Sequence, residues 1–248
     1  MDARPLTIAQ RGALCQSSCY SADTFSVRPM PKLMKDMEKS DAPSRGRSGG
    51  RQPEKNRQLL IDATLDTIAI HGITETTVSR IIERAALSRG MIHLHFGGKD
   101  NLLVAAAQAF NEAYYDEMER QMTGLPDAPA ETVMAIVRAD LSAELLNERS
   151  AKIWHAFRGV ASANPEIARF SDTRDFRLRQ TLRQVFDRIA DGEGHAADSR
   201  LARDATYGTL VMMEGMWTDF LTHMDAFDRT EAERIVRRFL TGLFPDSF

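Results

Sequence analysis

The fold is decided by one stretch of the sequence, Thr77-Val-Ser-Arg-Ile-Ile-Glu-Arg-Ala-Ala-Leu-Ser-Arg-Gly-Met-Ile-His-Leu-His-Phe96. Apolar residues recur in its first half at spacings of three and four, which predicts a short helix with one buried face. These residues are Val78, Ile81, Ile82 and Ala85. We expect Leu87 to fill the corner of a tight turn, and the hydroxyl of Ser88 to cap a second helix by accepting from a free backbone N–H. Ile92 and Phe96, four residues apart, then face back onto the first helix.

The outer side of the second helix is left for a partner. It carries Arg89, Gly90, Met91, His93, Leu94 and His95. A helix presented in this way fits the major groove of DNA, which is about 12 Å wide. Two short helices joined by a tight turn, the second facing outward, form a helix-turn-helix. Residues 77–96 therefore predict a DNA-binding motif.

The residue types at this surface suit particular contacts with DNA. Thr77 begins the first helix, where its hydroxyl and the free N–H groups can hold a phosphate, and Arg80 can reach a phosphate or a base. Ser88 opens the second helix. Arg89 is the candidate for bidentate contact with a guanine, and Gly90 permits a close approach of the backbone to DNA.

Further along the motif, His93, His95 and Lys99 are expected to donate to phosphates, while Met91 and Leu94 lie beside the duplex. The alternative for the two histidines is simple surface polarity. Phosphate contacts position a protein on DNA, whereas base contacts select the sequence.

Helical periodicity continues along the rest of the chain, and no strand-like alternation is present. The sequence therefore predicts an all-α protein of nine helices, at about 53–71, 78–85, 89–95, 99–122, 130–147, 150–162, 165–190, 198–223 and 230–243. Gly72 is the expected stop of the first helix and Pro165 the expected first residue of another. Asp198 and Thr230 are expected helix caps, the latter forming a capping box with Glu233.

Composition and charge divide the chain into three predicted regions. Residues 1–52 are broken by proline and glycine and scattered with Arg and Lys, which predicts a disordered basic extension. It is either a flexible arm that reaches DNA or a dispensable tail, and residues 1–29 look like an addition to the start of the protein. Residues 53–102 form the predicted DNA-binding domain, and residues 103–248 a ligand-binding and dimerisation domain.

The region from Arg57 to Leu102 resembles the DNA-binding domain of the tetracycline-repressor family, with unbroken spacing. The matching positions are Arg57, Leu60, Ile61, Ala63, Ile68, Gly72, Thr77, Val78, Ile81, Ala85, Ser88, Gly90, Ile92, Phe96, Lys99 and Leu102. The chain departs from the family pattern at the turn, where Ala86 replaces glycine, and at Ile82 and His93. The resemblance implies a homodimer on a palindromic operator, with helices 198–223 and 230–243 in a four-helix bundle, and a small-molecule effector.

Other function classes have little support in the sequence. The net charge is −3, with +4 over residues 1–103 and −7 over residues 104–248, so the basic part coincides with the predicted DNA-binding region. No apolar run approaches the roughly 20 residues of a membrane span, and no signal peptide is recognisable, which predicts a cytoplasmic protein. Cys15 and Cys19 are too few for a zinc site or a disulfide scaffold. No catalytic, metal-binding or cofactor motif occurs, so we expect neither an enzyme nor a cofactor.

Aromatic residues mark a candidate ligand site in the second half of the chain. Trp154, Phe157 and Trp217, with Tyr114 on the long helix and Glu214 as counter-charge, suit a quaternary ammonium ligand through cation–π attraction. Core and dimer packing is the alternative explanation for these rings.

Three further segments are similar to the choline-responsive members of the family, which control glycine-betaine synthesis genes. They are residues 152–157, Asn164-Pro165 and residues 214–217. The resemblance implies a repressor released by its ligand, here choline. A repressor of the same family that senses a lipophilic drug or an acyl thioester is the alternative. An all-α enzyme and an architectural protein are weaker alternatives for the function.

Overall fold

The computed structural model describes residues 51–195 and 200–248, which form nine α-helices and no strand. They are α1 Arg51–His71, α2 Val78–Ala85, α3 Arg89–Phe96, α4 Lys99–Met122, α5 Pro129–Asp140, α6 Glu148–Ala161, α7 Pro165–Gly192, α8 Arg200–Thr222 and α9 Arg229–Leu243. The predicted all-α class is confirmed. Most of the predicted extension 1–52, and the predicted cap Asp198, lie outside the described residues.

Helices α1, α2 and α3 form a small unit that we call the head. Its apolar periodicity produces the expected core, in which Leu60, Ile68, Ile81 and Ile92 are at most 1 % exposed. Long apolar side chains buried to this degree each stabilise the fold by about 1.5–3 kcal/mol. The turn sets the angle between α2 and α3, and packing in the core of the head maintains it.

Helices α5 to α9 form a second unit, the body, and α4 runs from the head into it. The head is packed directly onto the body, since Ile153 and Phe157 of α6 and Ile167 of α7 belong to the same buried cluster as the core of the head. Arg149, in the first turn of α6, also donates from Nε to Asp66 of α1 at 2.8 Å. A displacement of α6 would therefore also displace the residues of the head that it contacts.

Two predicted helix ends are confirmed by their backbone geometry. Gly72 has φ of +77°, and its N–H donates to the carbonyl of Ile68, which closes α1. Asn164 accepts from the N–H groups of Glu166 and Ile167, and Pro165 is the first residue of α7.

Two other predicted boundaries were wrong. The helix expected over 130–147 ends at Asp140; the carbonyls of Leu141 and Leu146 accept from Arg229, and a reciprocal cap of Asn147 and Ser150 begins α6. The cap of α9 is Asp228 and not Thr230, because the Asp228 carboxylate accepts from two backbone N–H groups at 2.8 and 3.1 Å. Glu233, the expected partner of Thr230, instead accepts from Arg138 at 3.2 Å.

Candidate functional site

The turn of the helix-turn-helix is made by a residue that is strained there. Ala86 has φ of +52° and is the one non-glycine residue in the described chain with a left-handed backbone. The next N–H, that of Leu87, donates to the carbonyl of Ile82 at 3.1 Å and closes the turn. A side chain in this conformation costs about 1–2 kcal/mol. Ala86 in place of glycine therefore keeps the geometry of the turn but lowers the stability of the fold.

The outer face of α3 is exposed as its sequence predicted. Arg89, Gly90 and His93 are all exposed, and Leu94 is 74 % exposed although it is a large apolar residue. A Cβ added to Gly90 would meet nothing in the described chain closer than Ser88 Oγ at 3.9 Å. Internal packing therefore does not require glycine at this position, and a close approach of another molecule would explain it.

Residues that precede this face are already engaged within the chain. Thr77 Oγ1 accepts from the N–H of Arg80 and so caps α2, which leaves the hydroxyl proton for an outside acceptor. Arg80 donates from Nη1 to the carboxylate of Glu75 at 3.0 Å. A phosphate contact by Arg80 has to compete with this ion pair.

Three further side chains of the predicted interface differ from expectation in detail. Ser88 occupies the cap position of α3, but its hydroxyl makes no capping hydrogen bond; the residue is exposed, and solvent or a phosphate can take the free groups. His93 Nδ1 lies 3.3 Å from the carbonyl oxygen of Gly97, so Nε2 is the ring nitrogen that can face outward. Nε2 of His95 is buried, which leaves at most Nδ1 of that ring for a phosphate. Met91 and Lys99 are both partly exposed.

In the body, a buried carboxylate stands out. Asp140, the last residue of α5, has no exposed surface. Tyr114 donates its hydroxyl to Oδ1 at 2.6 Å, and Trp217 donates Nε1–H to Oδ2 at 2.9 Å. Buried charges are costly unless they are hydrogen-bonded, so this carboxylate depends on donors that α4 and α8 bring to it.

Four buried rings surround these hydrogen bonds, and we call Tyr114, Tyr115, Trp154 and Trp217 the aromatic cluster. Their centroids form a connected series, with 5.3 Å between the two tyrosines, 6.3 Å from Tyr114 to Trp217 and 5.6 Å from Trp217 to Trp154. Ring faces attract cations, and guanidinium groups of the described residues already lie over this cluster. Arg177 is 3.9 Å from the centroid of Tyr115, and Arg158 is 5.4 Å from that of Trp154.

Family profiles match both parts of the chain. Residues 60–106 match the profile of the bacterial regulatory proteins of the tetR family, and residues 129–245 match the C-terminal profile of the BetI-type transcriptional repressors. The regulator BetI 1 of Chromohalobacter salexigens is 32 % identical over 168 residues, which cover 68 % of this chain and 79 % of that protein. The chain belongs to the TetR family. Within it, the C-terminal half is of the BetI type.

Other relatives and solved structures agree with this assignment. The BetI regulator of Escherichia coli is 29 % identical over 79 % of this chain and 97 % of its own length. A transcriptional regulator from Pseudomonas aeruginosa is 27 % identical, with a TM-score of 0.71 over 78 % of this chain and 92 % of that one. A transcriptional regulator from Saccharomonospora viridis, solved in complex with choline, has the same fold at 17 % identity, with a TM-score of 0.64 over 75 % of this chain and 96 % of its own.

This TetR-family protein is accordingly a transcriptional repressor and not an enzyme. None of the described helices combines the length and hydropathy that a membrane crossing needs.

Two of the residues predicted for the ligand site are not part of the aromatic cluster. Phe157 is buried with the core of the head, 6.4 Å from the ring of Phe110, although it follows Trp154 by only three residues on α6. Glu214 is exposed and pairs with Arg158, so it is not enclosed by the rings. Trp154, Trp217 and Tyr114 do come together.

Sequence reasoning did not point to Asp140 or Tyr115, which the structure places against the predicted residue Tyr114. Asp140 follows a run rich in buried apolar residues, from Val133 to Ala139. An acidic residue at the end of such a run is a usable sign of a buried carboxylate, since ionised side chains are almost never buried without partners.

Proposed function

We propose that this repressor binds a palindromic operator as a homodimer in the cytoplasm and releases it when a quaternary ammonium compound, choline in the first place, enters the body. The observation that carries the proposal is the fully buried carboxylate of Asp140 beside the aromatic cluster. The head supplies the DNA contacts, and the body supplies the ligand site and the dimer contact.

A quaternary ammonium group cannot donate a hydrogen bond, so it is recognised by ring faces and by a counter-charge. The aromatic cluster supplies the faces and Asp140 the charge. A desolvated cation–π contact contributes about 2 kcal/mol, which corresponds to roughly thirtyfold in affinity. A buried carboxylate disfavours the neutral lipophilic drug and the acyl thioester that the sequence left open. The choline bound to the Saccharomonospora viridis protein is in keeping with the same ligand class.

The outer face of α3 is assigned to recognition of the DNA sequence. Arg89 is assigned to a guanine, and exposed Leu94 to the methyl group of a thymine. Thr77, Arg80, Ser88, His93, His95 and Lys99 are assigned to the phosphate backbone, and Gly90 and Met91 to close packing against it. His95 contributes less than expected, because its Nε2 is buried.

Dimerisation is supported by apolar side chains that a single chain leaves in water. Phe176 of α7 and Tyr207 and Val211 of α8 are 55 %, 61 % and 48 % exposed, and Ile235 of α9 is 44 % exposed. Exposed apolar patches of this kind mark interaction surfaces. Two copies related by a two-fold axis would present their heads to half-sites about one helical turn of DNA apart.

The experiment measures the affinity for an operator with and without choline. A duplex selected from the DNA around the gene of this protein is titrated with the full chain, and anisotropy reports binding. We expect choline to weaken operator binding of the parent and to have little effect on Asp140→Asn, which keeps the shape of the carboxylate and removes its charge.

The matched control is Glu214→Gln, which removes one exposed charge outside the rings and should respond to choline like the parent. An unchanged operator affinity in the parent at saturating choline would overturn the proposal. A full response by Asp140→Asn would remove Asp140 from the site.

A further inference from the structure

A separate cavity of about 370 Å³ lies where the head meets the body. Gln58, Asp62 and Leu65 of α1 form its wall on the side of the head. Tyr114 and Trp217 are among the residues opposite. The volume is in the range of natural small-molecule pockets, which begin at about 300 Å³.

The cavity shares these two aromatic side chains with the buried carboxylate described above. Tyr114 and Trp217 line it, and the same two side chains donate to Asp140. Asp140 itself is not part of the lining. The cavity and the buried carboxylate are thus connected through one pair of aromatic side chains.

The charges around the cavity favour a cation. Its lining contains three carboxylates, those of Asp62, Glu117 and Glu144, and one guanidinium, that of Arg149. The charge of Arg149 is already compensated by Asp66, to which it donates at 2.8 Å. Hydrogen bonds from Arg120 lower the pKa of Glu117 to about 2 and compensate its charge, which leaves Asp62 and Glu144 as the lining carboxylates without an ion pair among the described residues.

We propose that this cavity is an outer binding site for a small organic cation, through which the ligand reaches the aromatic cluster, and that Asp62 of the DNA-binding head is one of its counter-charges. The inference rests on the proposed function, because it takes the same quaternary ammonium ligand. Aromatic rings and carboxylates in one lining provide the two features that such a cation needs.

The position of Asp62 links this outer site to the DNA-binding unit. Asp62 belongs to α1, so the wall that it forms is present only while the head stays packed on the body. The ligand therefore enters at a surface whose shape depends on the head, and repositioning the head on an operator alters that surface.

The test is the association rate of choline with the full chain. Both tryptophans of the chain, Trp154 and Trp217, belong to the aromatic cluster, and Trp217 also lines the cavity, so stopped-flow tryptophan emission follows binding of the ligand in this region. We expect Asp62→Asn to lower the association rate constant about two- to fivefold, the effect of one unit charge at a solvated distance of several ångströms. The dissociation rate constant should change less.

Glu83→Gln is the matched control, because it removes the same charge from the head at a residue that does not line the cavity. Glu144→Gln, on the side of the body, is a second test variant and should slow association by a similar factor. Thermal unfolding of each variant shows whether it is folded.

The results separate this proposal from the one on which it rests. If the parent binds choline and both Asp62→Asn and Glu144→Gln associate as fast as Glu83→Gln, the outer site is wrong and the proposed function stands. If the parent does not bind choline, both fail. Slower association of the two variants than of the control, lessened by high salt, would support the outer site.

Discussion

The head and the body of this repressor present their functional residues in opposite ways. On the recognition helix α3, the side chains assigned to DNA are mostly exposed, and Leu94 is 74 % exposed. In the body, Asp140 has no exposed surface, and Trp217 is 1 % exposed. The head can therefore change its DNA contacts without changing its core, whereas the proposed ligand site of the body is part of the core.

This contrast has a consequence for mutagenesis. A substitution on the outer face of α3 should change DNA binding and leave stability almost untouched, since exposed positions contribute little to folding. A substitution in the aromatic cluster should change ligand binding and stability together. The following variants test that division, in order of decreasing effect.

Trp217→Ala should lower the free energy of unfolding by about 3–5 kcal/mol, because it removes a fully buried ring and a donor to Asp140. Chemical denaturation measures the loss. Trp217→Phe retains most of the ring and should cost about 1–3 kcal/mol for the lost hydrogen bond to Asp140. A loss below about 1 kcal/mol in Trp217→Ala would contradict the assignment of this residue to the core.

Arg89→Ala should weaken specific operator binding by about 1–3 kcal/mol, the contribution of one good base contact, with no change in the unfolding temperature. Gel shifts on the operator and on a scrambled duplex measure the effect. An equal loss on both duplexes would show that Arg89 contacts a phosphate. A lowered unfolding temperature would show that the outer face of α3 is not independent of the core of the head.

Ala86→Gly should stabilise the head by roughly 0.5–1 kcal/mol. Glycine relieves a left-handed backbone strain of about 1–2 kcal/mol and loses part of that gain to the greater entropy of the unfolded chain. Urea denaturation measures the change, with Ala85→Gly as the control that weakens α2 at a helical position. A destabilised Ala86→Gly variant would contradict the strained turn.

The smallest effect is expected at His155, whose ring packs edge-on against Trp154 at 4.7 Å. Burial lowers the pKa of His155 below its ordinary value, with Arg158 adding to the shift and Glu214 opposing it. The neutral ring is favoured in the folded state, so its contribution is present above the ordinary pKa of about 6.5 and is lost as the pH falls below it.

Between about pH 7.5 and about pH 5.5, the parent should therefore lose more thermal stability than His155→Gln. Thermal unfolding of both proteins at the two pH values measures the difference. An identical loss in both would mean that the ring of His155 is protonated as easily in the folded chain as in the unfolded one.

The same contrast explains which parts of the structure were predictable from sequence. The helix-turn-helix is local: twenty residues with one apolar period determine its two helices, and Ile92 and Phe96 turn inward as expected, to be buried and partly buried. The proposed ligand site is not local, since Asp140 contacts Tyr114 across 26 residues and Trp217 across 77. A position three residues before Trp217 on the same helix predicts Glu214 as the counter-charge, whereas in the structure Glu214 is exposed and pairs with Arg158.

The most direct test of the central claim is a titration of the parent protein with choline and with its neutral carbon isostere, 3,3-dimethylbutan-1-ol. Tryptophan emission reports on the site alone, because Trp154 and Trp217 are the only tryptophans of the chain. We expect choline to bind at least about thirtyfold more tightly than the isostere, since only choline has the charge that the rings and Asp140 recognise. Equal affinity for the two compounds, or binding of neither, would contradict a cation site in the body.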